Sequence, residues 1–142
     1  MRWELLEFAY HRKLQDLVRD LNGLYRANPA LYQVDFHWRG FEWVDFHDAD
    51  HSVISFIRRA EDAKDWLLFC CNFTPAPHTG YAFGVPEEGH YREVLNTDSE
   101  IYGGSNMGNP GGVVSRPVPM HGRKHSIAIT LPPLAVVVFR KS

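Results

Sequence analysis

The segment "FHDADH" at residues 46–51 brings together side chains that bind metals or transfer protons: His47, Asp48, Asp50 and His51. Imidazole and carboxylate groups are common zinc ligands and general acids or bases. Zinc-binding histidine pairs commonly occur as H-x-x-x-H on a helix or H-x-H on a strand, and this segment has neither a helical pattern nor an H-x-H strand pattern. Aspartates of this kind are typical of a turn whose side chains accept backbone N–H bonds. We therefore predict a hairpin turn and no metal site.

A second histidine-containing segment, "MHGRKH" at residues 120–125, surrounds Gly122 with polar and basic residues. Glycine between polar residues is typical of a tight turn. We predict a hairpin turn at Gly122 with exposed basic flanks.

The chain offers weak candidates for nucleophilic or glycosidic chemistry. Ser105 follows two glycines in "YGGSNMG", but the sequence lacks G-x-S-x-G and no histidine partner can be assigned. Carboxylate pairs occur at Glu87 with Glu88 and at Asp98 with Glu100. Nothing in their sequence surroundings indicates a perturbed pKa. The residues by themselves therefore predict no catalytic site.

Several aromatic residues are candidates for sugar binding. Trp38 and Trp43 flank "RGFE", and Tyr81, Tyr91 and Tyr102 lie at predicted strand edges or turns. Exposed aromatic rings can act as flat platforms for sugar rings, and they can equally be residues at the edge of a core. The sequence leaves both interpretations open for Trp38, Trp43 and Tyr102.

The segment "NTDSEIYGGSNMGNPGG", residues 96–112, has five glycines and three asparagines and little that could fill a core. Structureless loops longer than about 12 to 15 residues are usually functional or disordered. We therefore treat this loop as a candidate functional feature.

The elements that must position these residues belong to a chain of limited size and charge. Its 142 residues suit one domain that can bury a core without staples. A net charge of −2 gives no basic face for nucleic acid and no polybasic membrane signal. No apolar run approaches the ~20 residues of a membrane span.

The two cysteines are adjacent, at Cys70 and Cys71, and neighbours in a strand point to opposite faces. They are poor candidates for a mutual disulfide, and we interpret them as buried thiols in a reducing compartment. Acidic residues at Glu4 and Glu7 do not suit a signal peptide. A cytoplasmic location follows as a prediction.

An amphipathic helix is predicted over residues 11–28. Apolar residues at Leu14, Leu17, Val18, Leu21, Leu24 and Tyr25 form one stripe of helical period. Pro29 ends the helix, because it disfavours helical conformation in the preceding residue. Gly23 is unfavourable inside a helix and suggests a close backbone approach.

After residue 36 the pattern changes to short apolar or alternating runs separated by turn residues. About seven strands are predicted, at "FEWVDF", "HSVISFIRR", "DWLLFCCNFT", "YAFGV", "YREVLN", "HSIAITL" and "LAVVVFRK". Their number and spacing predict an antiparallel β-sandwich or barrel. The runs "VISFI", "LLFCC" and "AVVVF" are apolar enough to be central strands.

The helix stripe needs a surface to cover. An isolated helix of this length is marginally stable in water, and a two-sheet sandwich closes its core without a helix. We expect the helix to dock on a sandwich face or on a second copy of the chain, covering Leu17 and Leu21.

Six motifs occur in order: "LVRDLNGLYR", "GFEW", "NFTP", "REVLNTDS", "YGGSNMGN" and "SIAITLPPLA". With them the sequence resembles the C-terminal end of bacterial 1,4-α-glucan (glycogen) branching enzymes of the α-amylase superfamily. Each motif alone is weak, but the ordered set is specific and spans nearly the whole chain.

This resemblance implies a mainly β fold in two parts. Residues 1–35 would be the helical end of a catalytic (β/α)8 barrel, and residues 36–142 an antiparallel β-sandwich of the α-amylase C-terminal type. The helix stripe would then cover barrel strands. The catalytic carboxylates of such enzymes lie in the barrel, upstream of residue 1, so no catalytic residue is assigned to this chain.

The resemblance also implies a function. The parent enzyme would form α-1,6 branches in glycogen by transglycosylation, with no metal or organic cofactor in the chemistry. This chain would be a non-catalytic domain that supports the barrel, its partner, with glucan handling as an additional expected role. In the loop, Tyr102, Gly103, Gly104, Ser105 and Asn106 would form an interdomain contact, with a place along a glucan path as the alternative.

Two other readings stay open. The chain could be an autonomous α-glucan-binding module that uses Trp38, Trp43 and Tyr102, or the C-terminal domain of a related glycoside hydrolase. The motifs "REVLNTDS" and "YGGSNMGN" favour a branching enzyme over a hydrolase. Self-association of the isolated chain through the helix stripe is a further expectation.

Overall fold

A computed structural model describes residues 2–142, which form one α-helix, short 3-10 turns and eight antiparallel strands. The mainly β fold that the sequence predicts is confirmed. The elements are α1 (Ala9–Ala27), β1 (Phe41–Asp48), β2 (Val53–Arg59), β3 (Trp66–Asn72), β4 (His78–Val85), β5 (His90–Asn96), β6 (Val113–Val114), β7 (His125–Leu131) and β8 (Ala135–Lys141).

Helix α1 ends as predicted, immediately before Pro29. Asn28 adopts an extended conformation there, and its side-chain amide donates to the carbonyl of Leu24 over 2.7 Å. Arg140 on β8 donates to the Asn28 side-chain oxygen over 3.0 Å. One buried side chain therefore caps the helix and ties its end to the sheet.

The strands form two sheets. The larger has the order β1-β2-β3-β8-β5-β6, and the smaller pairs β4 with β7. The three strands predicted to be central, β2, β3 and β8, lie inside the larger sheet. The two-residue strand β6 was not predicted, because it is too short to show a period.

The main core lies between the two sheets. Alternate residues point inward, so that Ile57, Phe139 and Tyr91 of the larger sheet meet Phe83 and Ile127 of the smaller one, all fully buried. Each such side chain stabilises the fold by about 1.5–3 kcal/mol relative to an exposed position. The sandwich therefore closes its own core without help from the helix.

The positions of both predicted turns and the burial of the cysteines are confirmed. Residues 49–52 form the turn between β1 and β2, where Asp48 accepts the backbone N–H of His51 over 3.1 Å. A turn at Gly122, with φ of +71°, precedes β7. The expectation of exposed basic flanks is wrong for Arg123, because its side chain is only 12 % exposed and pairs with Glu42. Cys70 and Cys71 are buried free thiols, and burial raises the pKa of Cys71 to about 11.

One expectation for the helix is wrong, and another is met only in part. Gly23 marks no close approach, since nothing lies within 4 Å of the position that a Cβ would take. The helix also docks only partly: Leu24 packs on the larger sheet, but Leu17 is only half-buried and Leu21 is 40 % exposed. Neither the sheet nor another described part of the chain covers the rest of the stripe.

Candidate functional site

The loop at residues 96–112 is folded around one buried carboxylate. Asp98 accepts hydrogen bonds from the backbone N–H of Ser105 at 2.9 Å, the hydroxyl of Ser105 at 2.6 Å and the N–H of Met107 at 3.1 Å. Its own backbone carbonyl accepts from the N–H of Asn106 at 2.7 Å. A Cβ on Gly104 would overlap that carbonyl, so glycine is required by close packing. The loop is therefore held in one conformation by its own hydrogen bonds and close packing.

A second network fixes the end of the loop to both sheets. Asn109 donates through its backbone and side-chain nitrogens to Glu93 on β5, over 3.0 and 2.8 Å. The Asn109 side chain also exchanges hydrogen bonds with the backbone of Thr130 on β7, over 2.9 and 2.7 Å. Sequence reasoning missed Glu93 and Asn109. The density of Asn and Asp in this loop was the available signal.

The loop also touches helix α1. The hydroxyl of Tyr102 donates to Asp20 over 2.7 Å, and Lys13 donates to the carbonyl of Glu100 over 2.7 Å. Burial, with the bond to Asp20, raises the pKa of Tyr102 to about 12. Gly103 has φ of +91°, and a Cβ there would sit 3.4 Å from the ring of Tyr10. Of the predicted loop residues, Tyr102 and Gly103 thus lie beside the helix that the family resemblance assigns to another domain.

A row of paired side chains crosses the outer face of the larger sheet. Register pairs join Trp43 to Phe56, Phe56 to Phe69, Phe69 to Val138, and Val138 to Leu95. We call these five residues the outer ladder. The rings of Phe56 and Phe69 stack with centroids 4.9 Å apart, and Trp43 meets Phe56 edge-on at 5.9 Å.

The outer ladder is covered at one end and open at the other. Leu24, Leu31 and Tyr102 pack over Val138 and Leu95, which are buried. At the other end Trp43 is 45 % exposed, and Phe46 and Phe41 around it are also exposed. Between the two ends, Leu21 and Tyr25 of the helix and Phe56 and Phe69 of the ladder line a common groove of about 380 Å³.

The three aromatic residues proposed for sugar binding do not form one platform. Trp43 lies at the open end of the outer ladder, and Tyr102 packs at its covered end. Strands β1 and β5 are separated by roughly 19 Å, four strand spacings. Trp38 lies in the turn before β1 and is 79 % exposed, and its ring centroid lies 5.4 Å from that of His37.

A groove of about 620 Å³ runs between the loop and strand β5. Its polar lining comes from both sheets and from the loop, including Thr79, Glu93, Asn96, Asn106 and Thr130. Tyr102 and Ile101 form its apolar rim. The loop thus forms one wall of a concave surface with polar and apolar lining.

The candidate reactive residues take part in structural contacts. Asp48 accepts from the hydroxyl of Tyr81 and contacts His51 over 2.8 Å, and the Tyr81 bond holds the pKa of Asp48 below its usual value. Ser105 donates to Asp98. Among residues 2–142, no three His, Cys, Asp or Glu side chains are placed to hold a metal ion.

The two-sheet β-sandwich closes its own core, carries one additional helix and leaves part of an apolar outer face exposed. These features define the class, which is a mainly β domain. The chain belongs to the family described as "Alpha amylase, C-terminal all-beta domain", which matches residues 43–142.

Relatives of the chain carry one name, "1,4-alpha-glucan branching enzyme GlgB". The protein from Aquifex aeolicus is 51 % identical over 97 % of this chain and 22 % of its own length. The protein from Rubrobacter xylanophilus is 54 % identical over 97 % of this chain and 19 % of its own length. The protein from Thermosynechococcus vestitus is 49 % identical over 99 % of this chain and 18 % of its own length. The chain spans about a fifth of the length of these curated relatives, and the resemblance inferred from its motifs is confirmed.

One further property concerns membranes. Within residues 2–142, no helix combines the length and the apolar character that crossing a bilayer requires.

Proposed function

We propose that this chain is the C-terminal domain of a 1,4-α-glucan branching enzyme, and that it supports a catalytic barrel formed by the preceding part of the parent protein. The barrel would cut an α-1,4 linkage and transfer the chain to make an α-1,6 branch. Residues 1–35 would complete the barrel, and residues 36–142 would form the supporting domain. The relatives support this assignment through their shared name and their much greater length.

The observation that carries the proposal is the uncovered apolar face. On helix α1, Leu14 and Val18 are 58 % and 50 % exposed, although they belong to the stripe that a packed helix would bury. Contiguous exposed apolar surface of this kind marks an interaction site in a folded domain. The open end of the outer ladder continues this surface across the groove lined by Phe56 and Tyr25.

The occupant that fits this face is the barrel of the same parent chain. A barrel packs its outer helices around parallel strands, so its last helix needs apolar strands beneath it. About four-fifths of the length of each relative lies outside the region that this chain covers, which is enough for such a barrel. The loop would join the same contact, because Tyr102 and Gly103 already lie against the helix.

A chimeric enzyme tests the proposal. In the Aquifex aeolicus branching enzyme, the matching region would be replaced by this chain over the 138 aligned residues. We expect the chimera to branch amylose, seen as a fall in iodine colour, and to melt in one cooperative transition. A version that lacks the region serves as the control. An inactive chimera in which this domain melts separately would contradict the proposal.

Substitutions in the interface sharpen the test. Leu14→Glu and Val18→Glu should lower the melting temperature and activity of the chimera, because each buries a charge at the contact. Gly103→Val with Gly104→Val should do the same through the loop. Exposed Glu88→Gln is the matched control away from the helix. Unchanged melting and turnover in the glutamate variants would count against the barrel contact.

An autonomous α-glucan-binding module is the second candidate. The exposure of Trp38 favours it, since a solvent-facing indole is a suitable sugar platform. Retardation of this chain in a native gel that contains glycogen, lost in Trp38→Ala or Trp43→Ala, would support it. No retardation favours a purely supporting role.

Self-association of the isolated chain is a smaller proposal. Without a barrel, the helix stripe should drive self-association, and light scattering should show dimers that Leu14→Glu dissociates.

A cytoplasmic location is supported by the free, buried state of Cys70 and Cys71, which suits a reducing compartment. The name shared by the relatives favours a branching enzyme over a related glycoside hydrolase.

A further inference from the structure

The groove between the loop and strand β5 has the dimensions of a ligand site. Its volume of about 620 Å³ falls in the usual range for small-molecule sites, about 300–1,000 Å³. An irregularity in β5 between Glu93 and Leu95 interrupts the pairing with β8 beside it. Such bulges reorient side chains and occur often beside functional sites.

The walls of the groove are fixed without a ligand. Asp98 holds the loop from inside, and Asn109 ties it to Glu93 and Thr130. Asn96 adds a bond to the carbonyl of Met107 over 2.7 Å. A site that is already ordered loses little conformational entropy on binding.

Several polar groups at the groove remain available for a ligand. One oxygen of Glu93 accepts both bonds from Asn109, and the other accepts none from residues 2–142. Asn109 bonds only to the backbone of Thr130, so the Thr130 hydroxyl is available to a ligand. Asn106 accepts a bond from Glu100 through its side-chain oxygen, which leaves its NH₂ group. Thr79 contributes a further hydroxyl on the opposite side.

These groups select the chemistry of the ligand. A carboxylate, an amide and two hydroxyls together offer donors and acceptors, which suit neutral hydroxyl groups. An anion would be repelled by Glu93, and a divalent cation would need more carboxylates than this groove supplies. At the rim, Ile101 is 57 % exposed and lies beside Tyr102, which suits the apolar C–H faces of sugar rings.

We propose that this groove binds a short segment of an α-1,4-glucan chain and holds it on this β domain. The choice of sugar rests on the proposed function, whereas the position of the site rests on the groove. The site is distinct from the exposed indoles of Trp38 and Trp43, which lie before and on strand β1.

Titration of the ¹⁵N-labelled 142-residue chain with maltoheptaose tests the proposal by NMR. We expect amide shifts at Glu93, Asn106, Asn109 and Thr130, with a Kd on the order of 1 mM. Cellohexaose, which has β-1,4 linkages, should bind much more weakly. Shifts confined to Trp38 and Trp43, no shifts at about 10 mM maltoheptaose, or equal binding of cellohexaose would overturn the proposal.

A blocking variant with a matched control completes the experiment. Thr79→Lys brings a long side chain and an ammonium group into the groove that Glu93 lines, and it breaks no hydrogen bond of the loop. It should weaken maltoheptaose binding about tenfold. Val114→Lys makes the same change at an exposed strand position outside the groove and should leave binding unchanged, as should Trp38→Ala. Equal affinity of Thr79→Lys and Val114→Lys would refute the site.

The two proposals fail in different ways. An active chimera together with no maltoheptaose binding by this chain removes the groove site and leaves the supporting role intact. An inactive chimera with normal groove binding removes the branching-enzyme assignment and leaves an α-glucan-binding domain.

Discussion

The two apolar regions of this chain differ in how completely they are covered. Between the sheets, Phe83, Tyr91 and Phe139 are fully buried, and both walls of this core belong to the chain. On the outer face, Val138 and Leu95 are buried, but Trp43 and the stripe around Val18 are not. The comparison teaches that the sandwich supplies both walls of its own core, whereas the helix stripe and the outer ladder keep apolar side chains that residues 2–142 leave exposed.

The largest expected effect separates these two regions directly. Phe139→Ala should destabilise the isolated chain by about 3–5 kcal/mol, because it leaves a cavity in a closed core. Trp43→Ala should cost less than about 1.5 kcal/mol, since its ring already contacts water. Urea denaturation of both variants gives the two values. Equal losses of stability would mean that the outer ladder contributes as much to folding as the core between the sheets.

The next effect concerns the loop that joins the sandwich to the helix. Asp98→Ala removes the acceptor for Ser105 and Met107, and unsatisfied buried donors cost about 1–3 kcal/mol. Glu88→Ala, at an exposed position in the turn before β5, is the control and should change the free energy of unfolding little. Denaturant melts of both variants decide the matter, and matching midpoints would show that the loop network is dispensable.

Two glycine substitutions sharpen the comparison in opposite directions. Gly104→Ala should destabilise by about 1–3 kcal/mol, because the new Cβ overlaps the Asp98 carbonyl. Gly23→Ala should stabilise by about 0.5–1 kcal/mol, since the helix position is open and alanine loses less entropy. Thermal melts of the isolated chain give both signs. Destabilisation by Gly23→Ala would reveal a packing role that the open space around it does not suggest.

The smallest expected effect is a pH dependence within the sandwich. Burial lowers the pKa of His121, and nearby Arg123 lowers it further, against an opposing effect of Asp45. The backbone N–H of Gly84 donates to the imidazole over 3.2 Å, so the neutral ring is the bonded form. A histidine with a lowered folded pKa contributes stability that is present above its unfolded value, about 6.5, and is lost as the pH falls through its folded value.

His121→Asn tests this point. Asparagine keeps an acceptor for Gly84 and tolerates the φ of +49° at this position, but it does not titrate. Between pH 7.5 and pH 5.5, the variant should therefore lose less stability than the unsubstituted chain, as measured by urea midpoints. An identical loss in both proteins would assign the pH dependence to other groups.

Much of the fold could be predicted because it is written in local patterns. The stripe from Leu14 to Tyr25 predicted the helix, and Pro29 predicted its end. Alternating and apolar runs located seven of the eight strands that residues 2–142 form. The strand Val113–Val114 was missed because two residues carry no period.

The candidate site could be predicted only in outline. The glycine and asparagine content of the loop singled out a segment with a hydrogen-bond network of its own. Tyr102 and Gly103 lie beside the helix, whereas Ser105 and Asn106 bond to Asp98. The roles of Glu93 and Asn109 could not be read, because they meet across a separation of 16 residues and depend on strand pairing. Whether Trp38, Trp43 and Tyr102 lie close together also depends on the order of strands in the sheet, which composition does not encode.

The sequence by itself determined the helix, the strands, the turns and the family, because each rests on residue types at short spacing or on ordered motifs. The tertiary structure alone decided that Trp43, Phe56, Phe69, Val138 and Leu95 form one ladder across five strands. It also decided that the helix covers only one end of that ladder. Such facts follow from the order and register of strands distant in the chain, which are set by the packing of the whole domain.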